Sequence, residues 1–300
     1  MNKTVDVSRQ EFFLTGASGN RLAASRFPAL KAQAQKVLLL HGGGQTRHAW
    51  TATCRKLAAA GFEAVAMDQR GHGDSAWIES GVYSVAGFAA DAAAVSDQIT
   101  GTGEARPVAI GASLGGLASL IALGARADVF AGLVLVDVAA RMKAEGLVNV
   151  QNFMRAQAFE GFASVEEAGA AITRYLPHRP KPKSLAGLAK NLRLKPDGRY
   201  YWHWDPRFIN RPASIGPTAK SIAEAVADAA RSLSVPTLLV RGGDSELVGE
   251  EEVTHFRALC PSVEYADVAN ARHMVAGDEN DAFGAAILGF LKGHFGEVRA

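Results

Sequence analysis

The chain has 300 residues, of which 48% are hydrophobic, 21% charged and 8% aromatic, and this composition excludes a disordered or fibrous protein. Its 32 basic and 30 acidic residues leave a net charge of +2, which does not indicate nucleic acid or a membrane surface as a partner. We therefore expect a small-molecule ligand with little charge. A chain of this length forms either one large domain or one domain with an insertion.

The opening residues and the cysteines bear on the cellular compartment. Residues 1–13 contain no apolar run of roughly 7–15 residues, the central part of a secretory signal, and no run reaches the ~18 residues of a membrane helix. The two cysteines, Cys54 and Cys260, are too few for a disulfide framework. We expect a cytoplasmic protein, with a homodimer among the open options for its assembly.

Short apolar runs alternate with helical patterns in the first half of the chain, and this alternation predicts βαβ units around a parallel sheet. The runs lack polar positions, as expected for strands that helices cover on both faces. The predicted strands cover residues 36–40, 62–67, 107–112 and 132–138, and the predicted helices cover 50–61, 85–99 and a stretch that begins at Ser113.

The alternation stops after residue 140 and resumes near Val235. The stretch between contains interrupted helical patterns and an aromatic run, but no comparable apolar strand. We therefore predict an α/β core built from residues 1–140 and 231–300, interrupted by an insertion, residues 141–230. The second part of the core has predicted strands at 235–243 and 263–269 and predicted helices at 250–259 and 281–295.

The strongest chemical motif is GASLG at residues 111–115, a G-x-S-x-G pattern between a predicted strand and a predicted helix, with Ser113 at its centre. A turn this sharp needs neighbours without bulky side chains, and the flanking glycines meet that need. The turn would expose the Ser113 hydroxyl at a helix N-terminus, where free N–H groups favour negative charge on a bound oxygen. Ser113 is therefore the predicted nucleophile.

A serine nucleophile needs a base, and histidine suits this role because its ordinary pKa lies near neutrality. Of the eight histidines, His273 follows the last predicted strand, a position from which it can reach Ser113. His41 and His72 lie in glycine-rich loops at strand ends, where we expect them to shape the turns. His203 lies in the insertion.

Four segments, in chain order LLLHGGG, DQRGHGDS, IGASLGG and ANARHMVAGD, resemble motifs of the α/β-hydrolase fold superfamily in its cap-bearing branch. The resemblance spans nearly the whole chain. It implies a mostly parallel, eight-stranded α/β-hydrolase sheet flanked by helices, with a mainly helical cap inserted after strand 6. It also implies a catalytic triad in the chain order serine, acid, histidine.

The triad acid is open between three residues. The family commonly places it after the strand that follows the cap, in a G-x-x-D arrangement. Counted from Gly242, that place holds Ser245, and its neighbours Asp244 and Glu246 are alternatives. Asp137 ends the strand before the cap, a position that resembles the acid position of haloalkane dehalogenases. Because a carboxylate at the end of an apolar run needs a partner, we favour Asp137 over Asp244, with Glu246 behind both.

The resemblance also implies an oxyanion hole of two backbone N–H groups, those of Leu114 and of Gly43 in the loop after the KVLLL strand. Trp202 and Trp204, in the aromatic run of the insertion, are candidates for substrate binding or for the core of the insertion. No cysteine or histidine spacing fits a metal site, and no G-x-G-x-x-G follows a strand. We expect no metal and no cofactor.

These assignments predict a serine hydrolase that cleaves a small or medium carboxylic ester or lactone through an acyl-enzyme. The serine at the turn argues against dehalogenase or epoxide-hydrolase chemistry, for which members of the superfamily use an aspartate. Two alternatives stay open. One is carbon–carbon bond hydrolysis or perhydrolysis with the same triad, and the other is a receptor-like binding protein with negligible turnover.

Overall fold

The computed structural model describes residues 8–29, 34–177, 185–209, 219–269, 271–273 and 281–296. Residues 1–7, part of the opening stretch without a signal pattern, lie outside these ranges. The strands in the described residues are β1 (Gln10–Thr15), β2 (Arg21–Phe27), β3 (Lys36–Leu40), β4 (Glu63–Met67), β5 (Val108–Ala112), β6 (Gly132–Val136), β7 (Leu192–Leu194), β8 (Tyr200–Trp202), β9 (Thr237–Gly242) and β10 (Glu264–Val268). The helices there are α1 (Thr51–Ala59), α2 (Val85–Ile99), α3 (Leu114–Ala125), α4 (Ala144–Arg155), α5 (Val165–Tyr175), α6 (Ala186–Ala189), α7 (Ala219–Arg231), α8 (Glu250–Leu259) and α9 (Asp281–Phe295).

Eight strands form one sheet in the order β1-β2-β4-β3-β5-β6-β9-β10. Strand β2 pairs antiparallel with both β1 and β4, and the remaining neighbours pair parallel. The predicted mostly parallel, eight-stranded sheet is therefore confirmed. The predictions contain no strand before residue 36, because QEFFLT and RLAASRF lack the Val/Ile/Leu runs of the inner strands.

Helices cover both faces of the sheet. On one face α2, α3, α7 and α8 pack on a cluster that includes Leu38 and Phe256, and on the other α1 and α9 pack with Leu39 and Trp50. Successive residues of β3 thus point into opposite clusters, as the alternation of side chains in a strand requires. Because both faces are covered, the inner strands have no polar face.

Between β6 and β9 the chain leaves the sheet, after the sixth strand as predicted. Residues 141–209, called the inserted segment below, contain α4, α5, α6 and a short antiparallel pair of β7 with β8. An apolar cluster within it includes Phe162, Ala168 and Trp202. The inserted segment therefore has a small core of its own.

Helix α7 departs from the predicted domain boundaries, which place residues 219–230 in the insertion. In the structure α7 packs against α3, with Val226 and Ala229 in the cluster on the sheet and Ala229 against Gly124. An alanine-rich amphipathic helix has the same sequence pattern whether it covers a sheet or a cap.

In the described part of the chain, no helix has the length and apolar character needed to cross a membrane.

Candidate active site

The predicted nucleophile and the favoured acid leave the sheet at the same edge. Strands β5 and β6 end together, with Ala112 opposite Val136, and the next residues are Ser113 and Asp137. The Ser113 N–H donates a hydrogen bond to the Val136 carbonyl at 3.2 Å. The loop after β3 reaches the same place, since a methyl group on Gly42 would lie 3.5 Å from Ser113 Cβ. Open α/β sheets bind ligands at this carboxyl edge.

Ser113 forms the turn between β5 and α3 with a φ of 46° and a ψ of −112°, a backbone conformation that residues with side chains rarely adopt. A Cβ atom on Gly111 would lie 2.4 Å from the Gly115 backbone, and one on Gly115 would lie 2.4 Å from the Leu40 carbonyl oxygen. The glycines are therefore needed for close packing around the turn. The Ser113 side chain makes no capping hydrogen bond to α3.

Residues Gly42–Gly44, called the glycine loop below, bring three N–H groups to this edge. The first and third of them donate to Gln45 Oε1 at 3.0 Å and to His72 Nε2 at 3.1 Å. Among the described residues, the Gly43 N–H and the Leu114 N–H at the start of α3 have no hydrogen-bond acceptor. These two groups have the unused donors that an oxyanion-binding site requires.

Asp137 follows β6 with a φ of 49° and has no solvent-exposed surface. Its Oδ1 accepts a hydrogen bond from the Gly242 N–H at 3.0 Å. Its Oδ2 accepts one from the Ser245 hydroxyl at 2.6 Å and lies 2.8 Å from His273 Nδ1. Three donors therefore satisfy this buried carboxylate, as a buried charge requires.

The contact with Asp137 determines the proton position on His273. Because an ionised carboxylate only accepts hydrogen bonds, the His273 proton that meets it must be on Nδ1. Nε2 then has a lone pair, which can accept a proton from a hydroxyl group. The His273 side chain is 13% exposed, so the ring borders solvent-accessible space while its Nδ1 side is paired.

The two alternative acids do not make this contact. Asp244 is exposed, and Glu246 Oε2 is buried without a hydrogen-bond partner among the described residues. The place in the G-x-x-D arrangement is taken by Ser245, whose hydroxyl accepts two backbone N–H bonds at 3.0 and 3.1 Å. Its own proton is directed to Asp137, so Ser245 supports the carboxylate that follows the neighbouring strand.

Apolar side chains of the inserted segment lie over the glycine loop. A methyl group on Gly43 would lie 3.5 Å from the Phe208 ring. One on Gly44 would lie 3.1 Å from the end of Met154 and 3.6 Å from Trp204 Nε1. Any substrate carbonyl bound at the Gly43 N–H would therefore meet an apolar wall on this side.

The two candidate tryptophans lie in different surroundings. Trp202 packs within the inserted segment against Phe153 and Phe162, with ring centroids 6.1 and 5.0 Å apart. Trp204 lies beside the glycine loop and packs against Phe208, with centroids 6.4 Å apart. Of the pair, the structure places Trp204 near the candidate nucleophile's loop and Trp202 in the core of the inserted segment.

The histidines expected to shape turns are buried and serve as hydrogen-bond groups. His41 Nε2 accepts from the Gln69 N–H at 3.0 Å, so its Nδ1 donates to the Gly42 carbonyl at 2.8 Å. Burial lowers the pKa of His41 to about 4 and the pKa of His72 to about 3. Both rings are therefore neutral near pH 7, which lets one ring nitrogen donate and the other accept.

Two buried ion pairs hold the loop after β4, which carries His72. Asp68 accepts hydrogen bonds from the Arg47 guanidinium and from the Arg47 backbone N–H, the latter at 2.6 Å. Arg70 donates to both carboxylate oxygens of Asp91, at 2.5 and 2.6 Å. Paired charges of this kind fix the loop because neither partner can be left alone in the interior.

Sequence reasoning missed three residues of this region. Ser245 occupies the acid's place in the G-x-x-D arrangement, so the sequence shows there only that an acid is missing. In the structure its hydroxyl donates a hydrogen bond to Asp137, which follows the neighbouring strand. Met154 lies in a helix without a recognisable motif, so no sequence signal indicates it. Phe208 is the last residue of the aromatic run RYYWHWDPRF, but only Trp202 and Trp204 of that run were candidates for substrate binding.

Comparisons with known proteins agree with this fold. A family model described as serine aminopeptidase, S33, matches residues 31–280. The esterase Rv0045c of Mycobacterium tuberculosis is 29% identical over 288 residues, which cover 90% of this chain and 88% of the relative. The 2-(acetamidomethylene)succinate hydrolase of Mesorhizobium japonicum is 27% identical over 217 residues, which cover 71% of this chain and 73% of the relative.

Among solved structures, an α/β hydrolase from Novosphingobium aromaticivorans superposes with a TM-score of 0.76 at 23% identity, over 95% of this chain and 98% of the other. The family match covers most of the chain, from before β3 to the start of α9. The protein is therefore a hydrolase of the α/β-hydrolase fold that belongs to the serine aminopeptidase S33 family.

Proposed function

We propose that the protein is a serine hydrolase that cleaves a small or medium carboxylic ester or lactone through an acyl-enzyme. The observation that carries this proposal is the 2.8 Å contact between His273 Nδ1 and the buried Asp137 carboxylate. It leaves Nε2 of the imidazole as a base at the edge of the sheet where Ser113 follows β5. A serine, a correctly protonated histidine and a buried acid are the parts that acyl transfer requires.

In the first step the Ser113 oxygen attacks the substrate carbonyl carbon as its proton moves to His273 Nε2. Asp137 stabilises the imidazolium that forms and does not itself take the proton. The carbonyl oxygen becomes an oxyanion, held by the N–H groups of Gly43 and Leu114. The imidazolium then protonates the departing alcohol, and a water activated by the same histidine hydrolyses the acyl-Ser113 ester.

The two backbone donors have a large share in this scheme, because loss of one such donor typically lowers turnover by ~10²–10³-fold. Neighbouring groups already occupy the other two N–H groups of the glycine loop. This supports Gly43 as the donor from that loop. Leu114 follows the nucleophile directly, where the N-terminus of α3 also favours negative charge.

An ester with an apolar acyl or alcohol part fits the surroundings of the loop. Met154, Trp204 and Phe208 supply an apolar roof over it, and we propose that the inserted segment is the cap of the pocket. The esterase activity named for the Mycobacterium tuberculosis relative supports an ester as the substrate class. We therefore assign the protein a small-molecule carbonyl substrate.

The test is a Ser113→Ala variant assayed with p-nitrophenyl acetate and butyrate. We expect turnover to fall by at least about 10³-fold with a Tm close to that of the wild type. A fluorophosphonate probe is expected to label the wild type and not this variant. The matched control is Ser119→Ala, which removes a buried hydroxyl from the same helix and is expected to keep both turnover and labelling.

Retained turnover in Ser113→Ala would remove Ser113 as the nucleophile. A wild type that neither turns over esters nor reacts with the probe would favour the receptor-like alternative. Parallel assays of an ester, a lactone, a β-diketone and an aminoacyl p-nitroanilide rank the remaining reactions. We expect the largest kcat/KM for the ester or the lactone.

A further inference from the structure

Within the described residues, His203 connects the inserted segment to the glycine loop through a hydrogen bond. It follows β8, is 1% exposed, and its Nδ1 accepts a hydrogen bond from the Gly73 N–H at 2.8 Å. Because a backbone N–H only donates, Nδ1 carries no proton, and Nε2 must be the donor to the Gly44 carbonyl, 3.2 Å away. His203 is thus a neutral ring that links two core loops.

Two histidines of the core hold the other peptide groups of the glycine loop. His72 Nε2 accepts from the Gly44 N–H at 3.1 Å, and His41 Nδ1 donates to the Gly42 carbonyl at 2.8 Å. The ring centroids of His41 and His72 are 5.2 Å apart, and those of His72 and His203 are 6.2 Å apart. Three consecutive peptide groups of the loop are therefore each held by a different buried imidazole.

This arrangement controls the direction of the Gly43 N–H. That N–H belongs to the peptide whose carbonyl His41 holds, and the next two peptides are held by His72 and His203. Gly44 lies between the last two of these peptides and has a φ of 74°. Glycine has no side chain whose packing could favour this backbone conformation. The three imidazole hydrogen bonds therefore hold the loop together with the two bonds that Gln45 makes to Gly42, of which the Gln45 N–H bond to the Gly42 carbonyl is 3.2 Å long.

The residues around His203 anchor it to the core. The Asp205 N–H donates to the Gly71 carbonyl at 2.8 Å, and the Tyr83 hydroxyl donates to Asp205 Oδ2 at 2.7 Å. Arg207 donates to the carbonyls of the loop before α2, at 3.1 and 3.2 Å. His203 can therefore leave the Gly44 carbonyl only if this whole contact of the inserted segment loosens.

We propose that His203 is a positioning residue for the oxyanion hole, so that the Gly43 N–H is correctly directed only when the inserted segment is docked on the core. The inference rests on the proposed function, since it concerns the same oxyanion. It makes the inserted segment a part of the catalytic machinery as well as a cover. A displacement of about 1 Å in such a donor is enough to cost ~10²-fold in rate.

Two substitutions separate the two hydrogen bonds of His203. In His203→Gln the side-chain amide reaches as far as Nε2 does and keeps a donor for the Gly44 carbonyl. In His203→Asn the shorter amide keeps an acceptor for the Gly73 N–H and loses the bond to Gly44. We expect His203→Asn to lower kcat for p-nitrophenyl butyrate by about 10–100-fold with KM within about twofold, and His203→Gln to stay within about threefold of wild type.

A transition-state analogue reports on the oxyanion hole directly. An alkyl trifluoromethyl ketone adds to the serine and places an oxyanion in the hole, whereas the corresponding carboxylic acid only occupies the pocket. In His203→Asn we expect the inhibition constant of the ketone to rise in parallel with the loss of kcat/KM. We expect the constant of the acid to change by less than about twofold.

The matched control is Phe162→Leu, which loosens the core of the inserted segment without a contact to the glycine loop. We expect this variant to lower Tm and to keep kcat. Tyr83→Phe tests the docking with His203 intact and should lower kcat by a smaller factor than His203→Asn, because Asp205 keeps its other contacts. If His203→Asn does not fold, the kcat of Tyr83→Phe tests the proposal in its place.

Unchanged kcat in His203→Asn and Tyr83→Phe would overturn the inference. So would an equal loss of kcat in Phe162→Leu, because the effect would then be a general loosening of the inserted segment. Ser113→Ala in the same assay separates this failure from that of the proposed function. An inactive Ser113→Ala beside a fully active His203→Asn removes the role of His203 alone, whereas an active Ser113→Ala removes both.

Discussion

The groups that the sheet contributes to the candidate site and those that the inserted segment contributes are held in different ways. Ser113 and Asp137 follow paired strand ends directly, and backbone hydrogen bonds to the neighbouring strands hold both of them. His203 and Phe208 lie in a segment that meets the core mainly through side chains, such as the bond from the Tyr83 hydroxyl to Asp205, with few backbone bonds such as that from the Asp205 N–H to the Gly71 carbonyl. Strand pairing fixes the positions of Ser113 and Asp137, whereas docking of the inserted segment on the core fixes the positions of His203 and Phe208.

The difference has a consequence for stability and for activity. Groups placed by the sheet can be displaced only if the sheet unfolds, because inner strands open last in native proteins. Groups placed by the inserted segment depend on a few contacts that involve part-exposed side chains such as Arg207, which is 46% exposed. We therefore expect substitutions of the site residues that follow the sheet strands to slow the chemical step strongly. Substitutions in the docking contacts should lower kcat by smaller factors.

The largest effect is expected from Asp137, the proposed triad acid. Asp137→Asn should lower kcat for an ester by on the order of 10⁴-fold, since an amide no longer stabilises the imidazolium and favours the wrong tautomer of His273. Asp244→Asn, at an exposed position one strand away, is expected to stay near wild-type activity. A reversed result in a steady-state assay of the two variants would make Asp244 the acid.

Next in size is the contrast between two ion pairs. Arg70→Gln leaves Asp91 as an unpaired charge in the core, where both partners are at most 6% exposed, and should lower the free energy of unfolding by about 3–5 kcal/mol. Arg207→Gln removes a guanidinium that is 46% exposed, while the buried Asp205 carboxylate keeps the Tyr83 hydroxyl and the Arg207 backbone N–H as donors, so it should cost about 1 kcal/mol. Urea unfolding at pH 7.5 measures both. Equal losses of unfolding free energy in the two variants would mean that the docking ion pair stabilises the fold as much as the core ion pair does.

Low pH is expected to destabilise the protein through the buried histidines that hydrogen-bond to the glycine loop. Their pKa values are lowered by burial, to about 4 for His41, so at pH values below 6.5 the unfolded chain binds protons that the native state does not. The free energy of unfolding should therefore fall as the pH drops from about 6.5 to 4, by about 3 kcal/mol from His41 alone.

The check is urea unfolding at pH 7.5, 5.5 and 4.5. His203→Gln, which removes one of the three imidazoles, should reduce the loss over this range, because burial also holds the pKa of His203 well below its ordinary value. Asp74 and Asp205, whose pKa values are lowered from 3.8, contribute mainly below about pH 4, whereas Glu11, lowered from 4.5, adds to the loss near pH 4.5 in wild type and variant alike. A constant stability from pH 7.5 to 4.5 would contradict the neutral-histidine arrangement.

The smallest effect concerns the two tryptophans. Trp204→Ala should raise KM for p-nitrophenyl butyrate by about three- to tenfold, because the side chain lies beside the glycine loop. Trp202→Ala should act mainly on the unfolding midpoint, since it leaves a cavity between Phe153 and Phe162. If Trp202→Ala has the larger effect on KM, the substrate contacts the hairpin of β7 and β8.

Much of the core could be predicted because its signals are local. The apolar run 36–40 and the helix at 85–99 coincide with β3 and α2, since a strand covered on both faces and an amphipathic helix have distinct periodicities. The prediction omits the hairpin of β1 and β2 because QEFFLT and RLAASRF lack the continuous apolar run of an inner strand, and only the pairing of β2 with β4 joins the hairpin to the sheet. Helix α7 was assigned to the insertion because its pattern does not say what it packs against.

The sequence by itself determined the sharp turn at Ser113, because G-x-S-x-G between a strand and a helix specifies a local backbone shape. Only the tertiary structure shows that Asp137, and not Asp244, contacts His273, since the register of β6 and β9 determines which carboxylate lies beside the ring. It likewise brought His203 to the glycine loop, more than 150 residues earlier in the chain. Contacts between side chains so far apart in sequence have no local pattern and arise only from packing.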